Sequence, residues 1–169
     1  FVDIMCRKSG LRPAAVVIVA TVRALKYHGG QPLTSITEED VAALEKGMAN
    51  LERHIANVTG VFSLPCVVSI NRFDSDTEAE LDLLRTRVRE LGVDVVTATH
   101  WSDGGQGARE LAEAVVELCE RPSTMTFAYE EDASLWDKMS AIATRVYGAS
   151  EVTADAKIRG RIRELEAQG

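Results

Sequence analysis

The sequence lacks the features that mark a membrane protein, a secreted protein or a general binder of nucleic acid. It has no run of about 18 apolar residues, and no secretory signal peptide is evident, so we expect neither a transmembrane helix nor export. Its 19 lysine and arginine residues stand against 26 acidic residues, and the formal net charge is -7. Nucleic acids and anionic membranes require a basic surface, and we therefore expect neither as a partner.

Cysteine is scarce as well. The three cysteines, Cys6, Cys66 and Cys119, follow neither the spacing of a zinc site nor that of a disulfide framework, and we assign no metal ligands. Free thiols persist in reducing compartments, which favours a cytoplasmic protein. The chain begins at Phe1 in a segment that is typical of the interior of a fold, so we expect a fragment of a longer protein.

Strand-like and helix-like segments alternate along the chain. Continuous apolar runs predict buried strands over residues 14–20, 65–70 and 93–99, the first of them covered on both faces. Amphipathic patterns predict helices over residues 36–58, 76–92 and 108–120. This order predicts an α/β fold in which right-handed crossovers place helices on both faces of a parallel sheet, a P-loop NTPase-like or Rossmann-like three-layer arrangement.

The ends of these elements also have sequence signals. Thr77 and Glu80 form a capping box at a helix start, and Thr37 with Asp40 resembles one. Residues 124–129 are a further candidate strand, and the tail after them has a helical pattern that breaks at YGAS, residues 147–150. We therefore divide the chain into an α/β domain, residues 1–130, which carries the ligand-facing loops, and a helical appendage, residues 131–169.

Polar and aromatic residues follow all three predicted strands. The segments are TVRALKYHGG (21–30), NRFDSDT (71–77) and HWSDGGQGA (100–108). Because the carboxyl ends of parallel strands share one edge of a sheet, and ligands bind at that edge, these segments predict a binding site.

The first segment concentrates groups that suit an anion. Arg23 and Lys26 can neutralise phosphate oxygens, and His28 can donate a hydrogen bond or move a proton. Gly29 and Gly30 predict a loop whose backbone approaches the anion closely. The alternative is a solvated helix that ends at the two glycines. The segment is not a Walker A motif, since no G-x-x-x-x-G-K-[ST] occurs in the chain.

The second and third segments contribute aromatic rings. Phe73 and Trp101 are separated by one strand–helix unit, so we expect them to face each other across a cleft that suits a flat heteroaromatic ligand. Asn71 and Asp74 belong to an N-[KR]-x-D-like segment that is typical of nucleotide-binding folds. For Asp76, a structural role at the start of the following helix is favoured.

Three segments together are similar to formate–tetrahydrofolate ligases: CRKSGLRPAAVVIVATVRALKYHGG (6–30), NRFDSDTEAEL (71–81) and HWSDGGQGARELAEAVVEL (100–118). The resemblance implies an enzyme that makes formyl phosphate from formate and MgATP and transfers the formyl group to N10 of tetrahydrofolate. It implies that the folate ring stacks between Phe73 and Trp101. It further implies a cytoplasmic homotetramer several times longer than this chain.

The same resemblance orders the remaining site residues. Arg23, Lys26 and His28 become candidate catalytic residues, and Thr21, Gly29, Gly30, Asn71 and Asp74 face the phosphate or nucleotide. The resemblance places ATP and Mg²⁺ mainly on the segment that carries the P-loop, which this chain lacks, and a monovalent cation is a further candidate. We therefore expect the chain alone to have no ligase activity.

Three alternatives stay open from the residues themselves. The chain is a non-catalytic folate- or nucleotide-binding module, a GTPase-like domain that recognises a base through NRFD, or a purely structural sheet domain. The missing P-loop argues against the second.

Overall fold

The computed structural model describes residues 2–168. Its sheet has three parallel strands in the order β1–β2–β3, which are Val16–Ala20, Cys66–Asn71 and Asp94–Ala98. Pairing runs in register from Val16 opposite Cys66, and from Val67 opposite Asp94. The expected parallel α/β sheet is confirmed, while the finer P-loop-like classification stays a prediction.

The helices cover both faces of this sheet. Their bounds are α1 Val22–His28, α2 Val41–Ala56, α3 Glu78–Glu90, α4 His100–Asp103, α5 Arg109–Glu120, α6 Leu135–Ala141 and α7 Ala156–Glu166. Single 3₁₀ or π turns cover Val2–Arg7, Leu33–Ser35, Asn57–Val61, Gly104–Ala108 and Ile142–Val146. Helices α1, α2 and α3 share one apolar core with β2, whereas α5 packs against β2 and β3.

Helix starts follow the capping signals with one correction. The box at Thr77 and Glu80 forms as expected, and Gly92 adopts the positive φ of 74° that suits the residue after a helix. Helix α2 begins at Val41 rather than near residue 36, because Asp40 is its N-cap and accepts a hydrogen bond from the Ala43 amide at 2.8 Å. The Thr37 box was therefore a wrong prediction.

Strand β1 is less covered than its apolar run indicates. Val17 is 39% exposed and Val19 66% exposed, so one face of β1 is open. The physical reason is that α5 packs against β2 and β3 at one side of the sheet and does not extend over β1, the strand at the opposite edge. The expectation of burial on both faces holds for β2, where Cys66 to Ile70 are all buried.

The remainder of the chain is irregular or helical. Residues 124–129 form no strand, because Thr126 bonds to the turn at Val61 and Phe62 rather than to a sheet edge. Helices α6 and α7 and the break at 147–150 agree with the expected helical tail. The boundary at residue 130 stays a prediction. Within residues 2–168, every helix is too short or too polar to cross a membrane.

Candidate functional site at the carboxyl edge of the sheet

The in-register pairing brings the three strand ends to one edge, as the sequence predicts. Each end continues differently. β1 leads directly into α1, β2 leads into an irregular segment, residues 72–77, and β3 leads into the single turn of α4. We call residues 71–77 the β2 segment.

Strand β1 is followed directly by helix α1, and not by the flexible loop that Gly29 and Gly30 predicted. Thr21 is the N-cap and accepts a hydrogen bond from the Ala24 amide at 3.2 Å, and the helix closes at Gly29. A Cβ atom on Gly29 would lie 1.7 Å from the carbonyl oxygen of Ala43, so this glycine is required for the close approach of α1 to α2. The alternative interpretation, a helix with C-terminal glycines, is the one the structure shows.

Lys26 lies inside the protein. Its side chain is 1% exposed, and Nζ forms an ion pair of 2.9 Å with Glu80 Oε1 and donates to the Glu38 carbonyl at 2.7 Å. Glu80 itself is 0% exposed. This geometry corrects the expectation of a cation presented on an open loop, because the ammonium group already has an anionic partner in the interior.

Glu80 ties three helices together. Its Oε1 also accepts a hydrogen bond from the amide of Asp40, the N-cap of α2, and its Oε2 accepts from the amide of Thr77, the N-cap of α3. Burial acts to raise the pKa of the Glu80 carboxyl, but the bonds from Lys26, Asp40 and Thr77 outweigh it, so the pKa lies below the ordinary 4.5. The carboxylate is therefore held in its charged form.

Arg23 faces the β2 segment. Its guanidinium carbon lies 4.2 Å from the centroid of the Phe73 ring, and Nη2 donates to Ser75 Oγ at 3.1 Å. The guanidinium group covers one face of the Phe73 ring, and the Phe73 side chain is half-buried. This contact links the first strand end to the second.

Asp76 belongs to the same segment, and its carboxyl group is buried. It is 5% exposed, Oδ2 accepts from the Phe73 amide at 2.9 Å, and Oδ1 is buried without a hydrogen-bond partner. Burial raises the pKa of the Asp76 carboxyl above its ordinary 3.8, and the hydrogen bond from Phe73 and the charges of Arg23 and Lys26 only partly offset it. The favoured structural role at the start of α3 agrees with this position.

His28 lies at the surface end of α1. Its ring stands edge-on to that of Tyr27 at a centroid distance of 6.1 Å, and Tyr27 is 53% exposed. His28 is exposed too, and it is the last residue of α1, at the end of the helix that lies away from the strand end. The catalytic assignments of Arg23 and His28 stay predictions.

The second and third strand ends enclose a cavity of about 310 Å³. Its lining residues are Arg72, Asp74, Thr99, Trp101, Ser102 and Asp103. Trp101 is 86% exposed, a large fraction for the largest side chain, and Asp74 is exposed at the opposite wall. The lining is mostly polar, with one aromatic surface.

The two predicted stacking rings lie at neighbouring strand ends but do not share this cavity. Trp101 lines it, and so do both neighbours of Phe73 in the chain, whereas Phe73 itself is stacked on Arg23. The expected face-to-face arrangement of the two rings stays a prediction. Asn71 ends β2 opposite Ala98 and is half-buried at the base of the segment.

Sequence reasoning missed the Lys26–Glu80 pair. One signal was available, because Lys26 follows Val22 by four residues on the apolar face of α1. No signal in the sequence identified Glu80 as its partner, 54 positions away. Among the side chains that the structure describes, no three from His, Cys, Asp and Glu are grouped so as to hold an ion.

Comparison with a family model and comparison with individual proteins give the same family. The family model described as formate–tetrahydrofolate ligase matches residues 1–169. A formate–tetrahydrofolate ligase of Methylibium petroleiphilum is 52% identical over 173 residues, covering 100% of this chain and 31% of the relative. Those of Methylococcus capsulatus and Granulibacter bethesdensis are 50% and 52% identical, covering 99% and 100% of this chain and 30% of each relative. The chain thus spans about a third of the length of these relatives.

Proposed function

The chain belongs to the formate–tetrahydrofolate ligase family, and we propose that it forms the folate-facing part of an ATP-dependent ligase. In the proposed reaction, formate takes the terminal phosphoryl group of MgATP to give formyl phosphate and ADP. The N10 amine of tetrahydrofolate then attacks the formyl carbon, and phosphate leaves. The products are 10-formyltetrahydrofolate, ADP and phosphate.

The observation that carries the folate assignment is the exposed indole of Trp101 on the wall of the cavity beyond the carboxyl ends of β2 and β3. Removing a free aromatic face from water by stacking it on a pterin ring is favourable. Phe73, at the adjacent strand end, supplies the second aromatic surface. Arg72, Asp74 and Ser102 offer hydrogen-bonding groups around the ring.

The proposal assigns MgATP to the length of the relatives that this chain does not span. The sequence contains no G-x-x-x-x-G-K-[ST] motif, and residues 2–168 group no three metal-ligating side chains. Phosphoryl transfer depends on such a loop and its metal ion for electrostatic stabilisation. On this proposal the chain alone binds folate and has no ligase activity. A monovalent cation, a cytoplasmic location and a homo-oligomeric assembly belong to the same proposal.

A kinetic experiment tests the folate assignment in a complete enzyme. The segment of the Methylibium petroleiphilum relative that matches this chain is replaced by this chain, and Trp101→Ala is introduced. We expect the KM for tetrahydrofolate to rise about two- to tenfold, because stacking contributes about 0.5–1.5 kcal/mol beyond burial. The KM for MgATP should not change. A change confined to MgATP would refute the assignment.

Trp136 supplies a matched control. It lies on α6, and the guanidinium group of Arg159 is stacked on its ring at 4.2 Å. Trp136→Phe should leave both KM values unchanged. In the isolated chain this variant also leaves Trp101 as the single tryptophan, so quenching of its fluorescence by tetrahydrofolate reports binding directly. Measurable ligase activity of the isolated 169-residue chain would contradict the assignment of MgATP to other parts of the relatives.

A further inference from the structure

Arg23 contacts the β2 segment through both Phe73 and Ser75. Its guanidinium group stacks on Phe73 with the central carbon 4.2 Å from the ring centroid, and Nη2 donates to Ser75 Oγ at 3.1 Å. Nε of the same group is buried without a hydrogen-bond partner. The position of this cation is therefore set by the aromatic ring and one hydroxyl group.

A guanidinium group on one face of a phenyl ring restricts the ring. The planar cation is attracted to the negative face of the ring, and turning the ring about its axis would break that contact. The stack occupies one face of the ring, and Phe73 is only half-buried, so part of its side chain remains exposed. An arginine in this place thus fixes the orientation in which Phe73 is presented.

Helix α1 is itself anchored to the far end of the same segment. Lys26 follows Arg23 by three residues, so the two side chains leave α1 on neighbouring positions. Lys26 pairs with Glu80, and Glu80 Oε2 accepts from the amide of Thr77, the last residue of the β2 segment. The segment is consequently held to α1 both near its middle, at Phe73 and Ser75, and at its end.

We propose that Arg23 is a positioning residue, which backs Phe73 so that the opposite face of the ring receives the pterin of tetrahydrofolate. This inference rests on the proposed function and replaces the catalytic role that the sequence indicated for Arg23. A phosphate ligand would compete with the ring for the guanidinium group, whereas a pterin on the far side of the ring leaves the observed contact intact. Arg23 then acts on tetrahydrofolate through Phe73.

The test uses the complete enzyme described above, with the variants Arg23→Met and Arg23→Lys. We expect Arg23→Met to raise the KM for tetrahydrofolate about three- to tenfold, in line with the loss of a partly buried cation–π contact, while kcat and the KM for MgATP stay unchanged. Arg23→Lys keeps a cation near the ring but loses the planar stack, so its KM should lie between those of the parent and Arg23→Met. Arg89→Met, which removes an exposed arginine of α3, is the charge-matched control and should have no effect.

A double-mutant cycle with Phe73→Leu separates positioning from general damage. If Arg23 acts through the ring, Arg23→Met adds nothing to the KM once Phe73 is leucine. Full additivity of the two changes would overturn the inference. A fall in kcat with an unchanged folate KM would also overturn it and would restore the catalytic role. Should Arg23→Met fail to fold, Arg23→Lys completes the same cycle, because it keeps the charge and the aliphatic stem.

The cycle also distinguishes this inference from the proposed function. If Trp101→Ala and Phe73→Leu both leave the folate KM unchanged, the folate assignment fails and the inference fails with it. If those two variants raise the folate KM and Arg23→Met does not, the folate assignment stands and only the positioning role is refuted.

Discussion

The first and third strand ends lie at the same edge of the sheet and are built in opposite ways. After β1, α1 has a capped start, a buried cation and a second cation stacked on a ring. After β3, α4 is a single turn without a capping side chain, and Trp101 projects from it with 86% of its surface exposed. At the first end, Arg23 and Lys26 are held by contacts within the protein, whereas at the third end the side chain of Trp101 is available to a ligand.

The two strand ends therefore contribute differently to the site: one to the stability of the fold and the other to ligand binding. Groups that are buried and paired fix the geometry of a site, and their loss is felt as a loss of folding free energy. An exposed ring contributes little to folding, and its apolar surface is free to be covered by a ligand. Substitutions of the buried, paired groups at the first end, such as Lys26, should therefore act on folding, and substitutions of the exposed ring at the third end should act on folate affinity.

The largest expected effect is that of Lys26→Met at the first end. Removing the ammonium group leaves the fully buried Glu80 carboxylate without its charged partner, and breaking a buried pair in this way costs about 3–5 kcal/mol. Urea unfolding at neutral pH measures the loss. The loss should shrink as the pH falls, because protonation then removes the unpaired charge of Glu80.

Lys46→Met is the matched control for this prediction. Lys46 is an exposed residue of α2, and its loss should change the free energy of unfolding by no more than about 0.5 kcal/mol. Equal effects of the two lysine variants would mean that the buried pair does not stabilise the first strand end. The contrast between the two ends would then lose its main support.

A pair of glycines tests the same contrast through the backbone. A Cβ atom on Gly47 would lie 1.9 Å from the carbonyl oxygen of Leu25, where α2 crosses α1, whereas a Cβ atom on Gly105, after α4, meets nothing within 4 Å. Overpacking usually lowers the free energy of unfolding by about 1–3 kcal/mol, and Gly47→Ala should reach at least the upper end of this range because the clash is with the backbone. Gly105→Ala should be close to neutral. Thermal unfolding of both variants decides whether only the first end is tightly packed.

Local sequence patterns predicted the sheet well, since each signal lies within one element. The apolar run at 65–70 became β2 at Cys66–Asn71, and the box at Thr77 started α3, because both depend on nearest neighbours along the chain. The open face of β1 could not be seen in the same way. A run in which every residue is apolar has no alternation to show which face is covered.

The site was predicted less completely, for a different physical reason. The three strand ends were located correctly because parallel pairing brings them to one edge. Whether Lys26 faces a ligand or the interior depends on Glu80, and whether Phe73 faces the cavity depends on Arg23. Such long-range pairs leave no periodic trace in the sequence, so the sequence did not show that Lys26 is paired in the interior.

The buried carboxylate of Asp76 gives a smaller, pH-dependent effect. Because burial raises its pKa in the folded protein above the ordinary 3.8, the folded chain holds this proton more tightly than the unfolded chain. The contribution of Asp76 to stability is therefore present at low pH and is lost as the pH rises from 3.8 through the raised pKa. Asp76→Asn keeps an acceptor for the Phe73 amide and removes the charge.

We expect Asp76→Asn to raise the free energy of unfolding at neutral pH by about 1 kcal/mol, because the substitution removes a charge whose burial is unfavourable. The gain should disappear below the ordinary pKa of 3.8. Urea unfolding across this pH range measures both values. Asp74→Asn, two residues earlier and exposed, should change the free energy of unfolding at neutral pH by no more than about 0.5 kcal/mol. If Asp76→Asn instead lowers the free energy of unfolding at neutral pH, the folded protein stabilises the charged carboxylate, and the prediction is wrong.

The smallest expected effect on folding is that of Trp101→Ala, although it removes the largest side chain at this edge. With 86% of its surface already in water, the indole has little buried area to lose, so the free energy of unfolding should change by no more than about 0.5 kcal/mol. Urea unfolding of the isolated chain measures this change in the absence of folate. A loss comparable to that of Lys26→Met would mean that Trp101 packs against the protein, and the two strand ends would then not differ in this respect. A small loss, together with the expected rise in folate KM, would show that the exposed ring serves the ligand and not the fold.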